Sequence, residues 1–371
     1  MNQRSDVVVI GAGIVGCAIA YELARRGVRV RVIDRRRVGQ GATQASAGVL
    51  APFIEAHDRG VLLDLAARSL DLYDQFVARV VEDSGAAVQY VRSGTLEVAS
   101  NSAGSARLDS IHATCQQRGI PSERLDGQAV REAEPHLAPS VSAGLLVQSH
   151  GFVGASDLTA ALRRAATAHG VVFRTSAEAT HVRANGNRVR IETSGNAMNC
   201  ETAIVAAGSW SGRVEVDGAT QLPIRPVRGQ LLHVGWPTPP LRRVVWAPDC
   251  YLVPWSDGSV LVGATIEEVG FDERATVAGV RSLIDATARV APQVEQASFL
   301  GARVGLRPAT PDALPVIGRS VSVPGLVYAC GHFRNGILLA PLTASLVGDL
   351  LVDRKHDPAL DVTAPSRFGD C

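Results

Sequence analysis

The stretch that most limits what this chain can fold into is Val7 to Asp34, VVVIGAGIVGCAIAYELARRGVRVRVID. It predicts a βαβ unit. Val7 to Ile10 is a short apolar, β-branched run, as a strand buried on both faces requires. Gly11, Gly13 and Gly16 follow with G-x-G-x-x-G spacing. The first lets the chain turn sharply, the second lets a pyrophosphate approach the backbone, and the third lets helix pack close to strand. A helix from Ile14 to about Arg26 points its unpaired N–H groups and positive dipole end at the phosphates. Gly27 ends that helix, Val28 to Ile33 return as the second strand, and Asp34 closes it with a carboxylate suited to a ribose diol. Strand, helix and acid together specify a dinucleotide and leave NAD and FAD open.

A chain of 371 residues exceeds one ordinary core, so two domains are expected. With 46% hydrophobic and 20% charged residues it is globular rather than disordered. The formal net charge of +1 argues against nucleic acid or an anionic membrane as main partner. No apolar run reaches the roughly 18 residues that span a bilayer. Val7 to Ala20 resembles a signal-peptide core in length, but Asp6 precedes it and no cleavage-like segment follows. The six cysteines are scattered, with no C-x-x-C pair and no histidine at metal spacing, so no metal site is expected. They read as reduced thiols of a cytoplasmic protein.

Beyond the fingerprint, Arg35, Arg36 and Arg37 are either partners for a ribose 2′-phosphate or a solvated charge run, the second being preferred. Gly39 to Pro52, GQGATQASAGVLAP, is small and polar, which suits close backbone approach to a ligand. Helices are expected at Val61 to Val81, Ala103 to Arg118, Gln128 to Glu134, from a cap at Ser156 to Ala168, and near Arg274 to Val290. Strands are expected at Ser93 to Ala99, Ala143 to Val147, Val171 to Phe173, Ala179 to Ala184, Arg188 to Glu192 and Thr202 to Ala206. Asn185-Gly186 is a hairpin signal. From Gly212 to about Leu300, short strands (Gln230 to Val234, Tyr251 to Pro254, Val260 to Gly263) alternate with Pro- and Gly-rich turns. That pattern describes an antiparallel sheet inserted in an α/β framework. Leu326 to Cys330 is again an apolar strand, followed by a glycine-bearing turn and an apolar helix from Ile337 to Leu351.

With these blocks in hand, the sequence resembles the D-amino-acid-oxidase superfamily of flavoproteins, most closely the glycine oxidases of thiamine biosynthesis. GAGIVG with Asp34 is similar to the family's FAD fingerprint, ATQASAGVLAP at 42–52 to its flavin loop, and IVAAGSWS at 204–211 to its mid-chain strand. CYLVP at 250–254 and VGAT at 262–265 resemble the substrate sheet. GLRPATPDALPVIG at 305–318 and GHFRNGILLAP at 331–341 match the most diagnostic blocks. Three positions depart from the pattern. Asp249 and Trp255 stand where a histidine and an arginine are usual, and Leu306 stands where the sarcosine-oxidase branch carries its flavin-linking cysteine.

The resemblance implies a Rossmann-like FAD-binding domain in three pieces, 1–85, 150–215 and 305–371, with a substrate domain from 86–149 and 216–304. It implies non-covalent FAD, held at Gly11, Gly13, Ile14, Val15, Gly16, Asp34 and Arg35 of the fingerprint. Further contacts fall at Ala42, Thr43, Ala47, Gly48, Val49, Ala179 and Gly208. His332, Phe333, Arg334, Asn335, Gly336, Ile337 and Leu338 would border the flavin. Arg307 takes the role of the arginine that pairs with a substrate carboxylate, Tyr251 that of the phenol beside it, and Arg334 that of a second pocket arginine. A planar guanidinium suits such a bidentate pair. Alternatives remain for each: Arg307 as a salt-bridged residue of a Pro-rich loop, Tyr251 as a sheet tyrosine with its hydroxyl in solvent. The implied reaction is oxidation of a small amino acid to the 2-oxo acid, ammonia and hydrogen peroxide, with dioxygen as acceptor. The implied assembly is a homotetramer. Two rivals are a flavin dehydrogenase feeding a carrier, and a non-catalytic nucleotide-binding regulator, against which the pair Arg307 and Arg334 speaks.

Overall fold

The computed structural model describes residues 6–55 and 60–371. Its organising element is a six-stranded sheet in the order 316–319, 326–330, 202–205, 7–10, 30–33, 172–174. All neighbours are parallel except Val316–Arg319, which runs antiparallel to Leu326–Cys330. The first strand, β1 (Val7–Ile10), is central and flanked by β2 (Val30–Ile33) and Thr202–Val205. Alternation sorts its residues between two cores, because successive side chains of a strand point to opposite faces. Val7 and Val9 face the helices α1 (Ile14–Arg25), Ala155–Ala168 and Ala340–Gly348 through Tyr21, Leu162 and Leu346. Val8 and Ile10 face Val182, Val189 and Ile191 of a small four-stranded sheet that covers the other side. In that small sheet Asn185 pairs with Arg188 across the expected hairpin turn.

A second, eight-stranded sheet runs in the order 298–309, 225–235, 259–263, 251–254, 244–246, 95–99, 143–147, 122–126. It is antiparallel but for one pair, Val244–Trp246 against Thr95–Ala99, so the expectation of a purely antiparallel sheet is corrected there. Its Leu232, Val234, Val260 and Val262 pack with Leu283 and Ala286 of the helix Val277–Val290. Its Leu231, Val253 and Leu261 face Ala45, Ala47 and Phe152 on the opposite side. The cavity described below opens on that side.

Local structure departs from expectation in three places. The helix placed after a Ser156 cap begins at Ala155, with Gly154 at the cap and no side-chain bond. Asp157 in its first turn supplies the charge that favours an N-terminus instead. The last long helix is α-helical only over Ala340–Gly348, after a 3₁₀ turn at Phe333–Asn335 and before a π turn at Asp349–Asp353. Pro341 suits its first turn, where the missing N–H costs nothing. Third, Arg307 lies in a strand, Ser298–Ala309, where the sequence predicts none, and not in the Pro-rich loop of its alternative reading. Gly301, Gly305 and Pro308 hide the strand pattern, and Pro308 is tolerated because this is the edge of the sheet. A domain boundary drawn between 304 and 305 would therefore cut this strand.

Candidate cofactor and substrate site

A continuous cavity of about 600 Å³ runs from Asp34 and Glu178 at one end to Tyr251, Arg307 and Arg334 at the other. Its first wall is the turn from β1 into α1. Gly11 adopts φ +115° and lies so close to the neighbouring strand that a Cβ there would stand 2.3 Å from the Ala206 carbonyl oxygen. The N-terminus of α1 has no side-chain cap from Gly13 and no acid in its first turn. Its Ile14 N–H is met by Thr43 Oγ1 at 3.1 Å, and Gly13 and Val15 line the cavity beside it. That leaves a positive helix end facing an open space, the arrangement that receives phosphate. Gly16 does not line the cavity; it lets α1 cross β1, since a Cβ there would stand 2.0 Å from the Gly11 carbonyl oxygen.

Asp34 is tied down on both oxygens. Oδ2 accepts the Ala12 N–H and Oδ1 the Arg36 N–H, each at 2.7 Å. Burial raises its carboxyl above the ordinary aspartate value, against the pull of these two bonds and of Arg35 and Arg36. The carboxylate is thus a fixed acceptor at the end of β2. Arg35, Ala42, Thr43, Ala47, Gly48, Val49, Ala179 and Gly208 also line the cavity.

At the far end, sheet register gathers residues that are distant in sequence. Arg307 is paired with Val227, and its guanidinium lies over Gly229, where a Cβ would come within 2.4 Å of Cζ. Nη1 donates to the Thr265 carbonyl at 2.9 Å and to the Arg228 carbonyl at 3.3 Å. Nε and Nη2 take no protein partner among the described residues. Burial lowers the pKa of this guanidinium, and the Arg334 charge adds to that, opposed by Tyr251, Glu55 and Glu267. Tyr251 pairs with Gly263, lies across it, and stacks on Trp246 with ring centroids 5.0 Å apart. Burial pushes its hydroxyl up to about 12, so the phenol stays a neutral donor. Tyr251 lines the cavity, with its hydroxyl end lying over Gly263.

Arg334 donates from Nη2 to the Glu55 carbonyl at 3.4 Å, and its Nε stands 3.8 Å from Glu55 Oε2. Around it the turn is bolted down: Tyr73 donates to the Ile337 carbonyl and Ser69 to the Leu338 carbonyl, both at 2.6 Å. His332, Phe333, Gly336 and Ile337 line the cavity, whereas Asn335 and Leu338 do not. Buried His332 bonds Thr343 Oγ1 at 3.0 Å, and burial lowers its pKa to about 4, which keeps it neutral.

Glu55 was not legible in the sequence. Its side chain is 9% exposed and lines the cavity; burial raises its carboxyl, with Arg334 and Arg307 opposing. The only available signal was its place three residues after the small-residue loop. The partner that gives it meaning lies 279 residues away. Trp246, which backs Tyr251, was missed because it reads as one more apolar strand residue. Of the departures from the family pattern, Asp249 sits at the rim in an ion pair with Arg289 at 3.1 Å, and Trp255 does not line the cavity. Leu306 lines it and is buried.

Residues 6–350 match a family model described as FAD dependent oxidoreductase. The chain belongs to this family. The oxidoreductase is 34% identical to glycine oxidase of Geobacillus kaustophilus over 96% of this chain and 95% of that protein. The crystal structure of that enzyme superposes with a TM-score of 0.94, covering 98% and 99% of the two chains. A bifunctional ThiO/ThiG protein of Nostoc sp. is 34% identical over 96% of this chain, which spans 54% of that longer protein. Iminodiacetate oxidase IdaA of Chelativorans sp. BNC1 is 28% identical with a TM-score of 0.88, covering 97% and 98%.

The residues present fit FAD. A helix end with no acid in its first turn, a glycine turn that no Cβ could share and a fixed carboxylate at the next strand end supply the donor and acceptor set of a dinucleotide. The long cavity leaves room beyond them, which fits the larger of the two dinucleotides. Asp34→Ala is expected to weaken FAD binding by about 1–3 kcal/mol, through the lost acceptor and the two released backbone N–H groups. Titration of apoprotein with FAD checks this, and an unchanged affinity removes Asp34 from the site.

Proposed function

We propose that this FAD-dependent oxidoreductase oxidises glycine or another small primary or secondary amino acid, and that it serves the synthesis of the thiamine thiazole. The observation that carries the proposal is Arg307, a largely enclosed guanidinium at the cavity end whose Nε and Nη2 have no protein partner among the described residues. A carboxylate would satisfy both with two parallel hydrogen bonds. Tyr251 offers a neutral hydroxyl beside it. Arg334, partly balanced by Glu55, gives the same end a second positive group. Fixing the carboxylate fixes Cα and the amine. Bound FAD supplies a two-electron acceptor for the hydride that leaves Cα. The stoichiometry is amino acid, dioxygen and water giving 2-oxo acid, ammonia (or an amine) and hydrogen peroxide.

In this proposal Gly13, Ile14 and Val15 hold the pyrophosphate and Asp34 the ribose. The 42–49 loop, Gly208 and the 332–337 turn enclose the flavin. The segments 1–85, 150–215 and 305–371 form the cofactor-binding part and 86–149 with 216–304 the substrate part, the strand Ser298–Ala309 being shared between them. A cytoplasmic place is supported by six free, buried cysteines. No helix among the described residues is long and apolar enough to cross a membrane. Association of copies of this chain, a tetramer by the family resemblance, is supported by Phe299 and Leu300, 61% and 55% exposed on an edge strand.

The test is a screen of small amino acids with peroxide and ammonia read together. Equal yields of the two are expected with glycine or an N-methylated relative. Substrate-dependent reduction of a dye without peroxide would make the enzyme a dehydrogenase instead. Acid precipitation is expected to leave all flavin in the supernatant; flavin retained on the pellet would overturn non-covalent binding.

A further inference from the structure

Behind Arg307, on the other face of the strand Arg225–Gly235, lies a group of polar side chains that the proposed chemistry does not use. Glu267 is its centre. Its Oε1 accepts the Thr265 hydroxyl at 2.6 Å and the Gln230 amide at 2.7 Å, and its Oε2 accepts Arg228 Nη2 at 2.6 Å. Arg228 is 4% exposed and Gln230 fully buried. Thr265 Oγ1 in turn accepts the Gln230 backbone N–H at 2.9 Å. Gln230 extends the group to the helix Val277–Val290, accepting the Thr276 N–H at 2.8 Å and donating to Thr276 Oγ1 at 3.0 Å. Arg228 also pairs with Asp272 at 2.9 Å. Burial pulls against ionisation of Glu267, yet the bonds from Arg228, Thr265 and Gln230 hold its carboxyl below the usual carboxylate range.

The segment thus locked is the one that grips Arg307. Arg228 and Glu267 exchange backbone N–H···O bonds at 2.8 and 3.0 Å, and the Thr265 N–H reaches the Gln230 carbonyl at 3.2 Å. The two carbonyls that receive Arg307 Nη1 are those of Thr265 and Arg228, both first neighbours of Glu267 in this network.

We propose that Glu267 is a positioning residue for substrate binding: by clamping Thr265 and Arg228 it aims their carbonyls at Nη1 of Arg307, turning Nε and Nη2 toward the substrate carboxylate. The proposal rests on Arg307 being the carboxylate anchor. A carboxylate suits the task because it alone accepts from a hydroxyl, an amide and a guanidinium at once while also offsetting the buried charges of Arg228 and Arg307. Glutamine in its place offers one acceptor oxygen, and its NH₂ group faces a donor.

The experiment measures binding of glycolate, a carboxylate with a hydroxyl in place of the amine, to the FAD-loaded protein by perturbation of the flavin spectrum. Glu267→Gln and Thr265→Val are each expected to raise its Kd roughly tenfold or more, the scale on which a small misplacement acts. The KM for the amino acid should rise with it, while FAD content stays unchanged. Thr265→Ser keeps the hydroxyl and should bind glycolate as wild type does. In an Arg307→Ala background, Glu267→Gln and Thr265→Val should add nothing further, because their effect acts through the missing guanidinium. A lower melting temperature with an unchanged Kd in both single variants overturns the positioning role. So does a loss that is as large without Arg307 as with it. If Arg307→Ala by itself leaves the glycolate Kd unchanged, the carboxylate anchor falls and this proposal with it; if that variant binds poorly while Glu267→Gln and Thr265→Val are silent, only the positioning role falls.

Discussion

Arg307→Ala is expected to lower kcat/KM for the amino-acid substrate by a factor of roughly thirty to several thousand, about 2–5 kcal/mol, the cost of leaving one member of a buried charge pair alone. The loss should fall on both constants, since the contact that binds the carboxylate also sets Cα in place. Folding and FAD content should survive. The Arg228 carbonyl keeps the Glu267 N–H at 3.0 Å, and only the Thr265 carbonyl loses its donor. Arg307→Lys should restore little, because an ammonium cannot make two parallel bonds from a rigid plane. An amine without a carboxylate should be a poor substrate of wild type and nearly indifferent to the change. Steady-state kinetics on an amino acid and its decarboxylated amine decide the matter. Equal slowing of both would make Arg307 structural and move the search for the anchor to Arg334.

Gly11→Ala is expected to abolish FAD retention and to destabilise the protein by about 2–6 kcal/mol. Two separate faults add up. A φ of +115° strains any side-chain-bearing residue, and the new Cβ would stand 2.3 Å from the Ala206 carbonyl oxygen. Relief requires β1 to move from Thr202–Val205, and the first turn of α1 would move with it. Against a total stability of about 5–15 kcal/mol this is a large fraction. Thermal unfolding and FAD titration of Gly11→Ala measure it, with Gly195→Ala as control, since a Cβ there meets nothing within 4 Å. Normal FAD binding by the Gly11→Ala variant would show that the turn can relax without disturbing the cofactor wall.

The parts of the molecule that were legible in the sequence share a property: each is specified by residues close together along the chain. Val7 to Asp34 encodes strand, turn, helix and acid within one βαβ unit, and the structure places strand and helix over Val7–Ile10 and Ile14–Arg25. Asn185-Gly186 closes a hairpin for the same reason. Tyr251, Arg307 and Arg334 were located by resemblance in blocks of local sequence, and the fold brings all three to one end of one cavity. The strand Ser298–Ala309 escaped notice because its glycines and Pro308 break the alternation that marks a strand. What holds it together is pairing along Arg225–Gly235, a segment remote in sequence.

The amino-acid sequence by itself determined the dinucleotide fingerprint, the α/β class and the identity of the charged residues available to meet a carboxylate. Tertiary structure decided how those residues act. Register places Arg307 over Gly229 and Tyr251 over Gly263, and a slip of one residue would turn both side chains to the opposite face. Burial keeps the Tyr251 phenol neutral and sets Glu55 beside Arg334, and neither effect leaves a trace in local sequence. Glu267 shows the division most plainly, as an acid in a turn-rich stretch until sheet pairing surrounds it with Arg228, Gln230 and Thr265. Hydrogen-bond geometry and desolvation depend on distances in space, and those are set only when strands far apart in the chain pair.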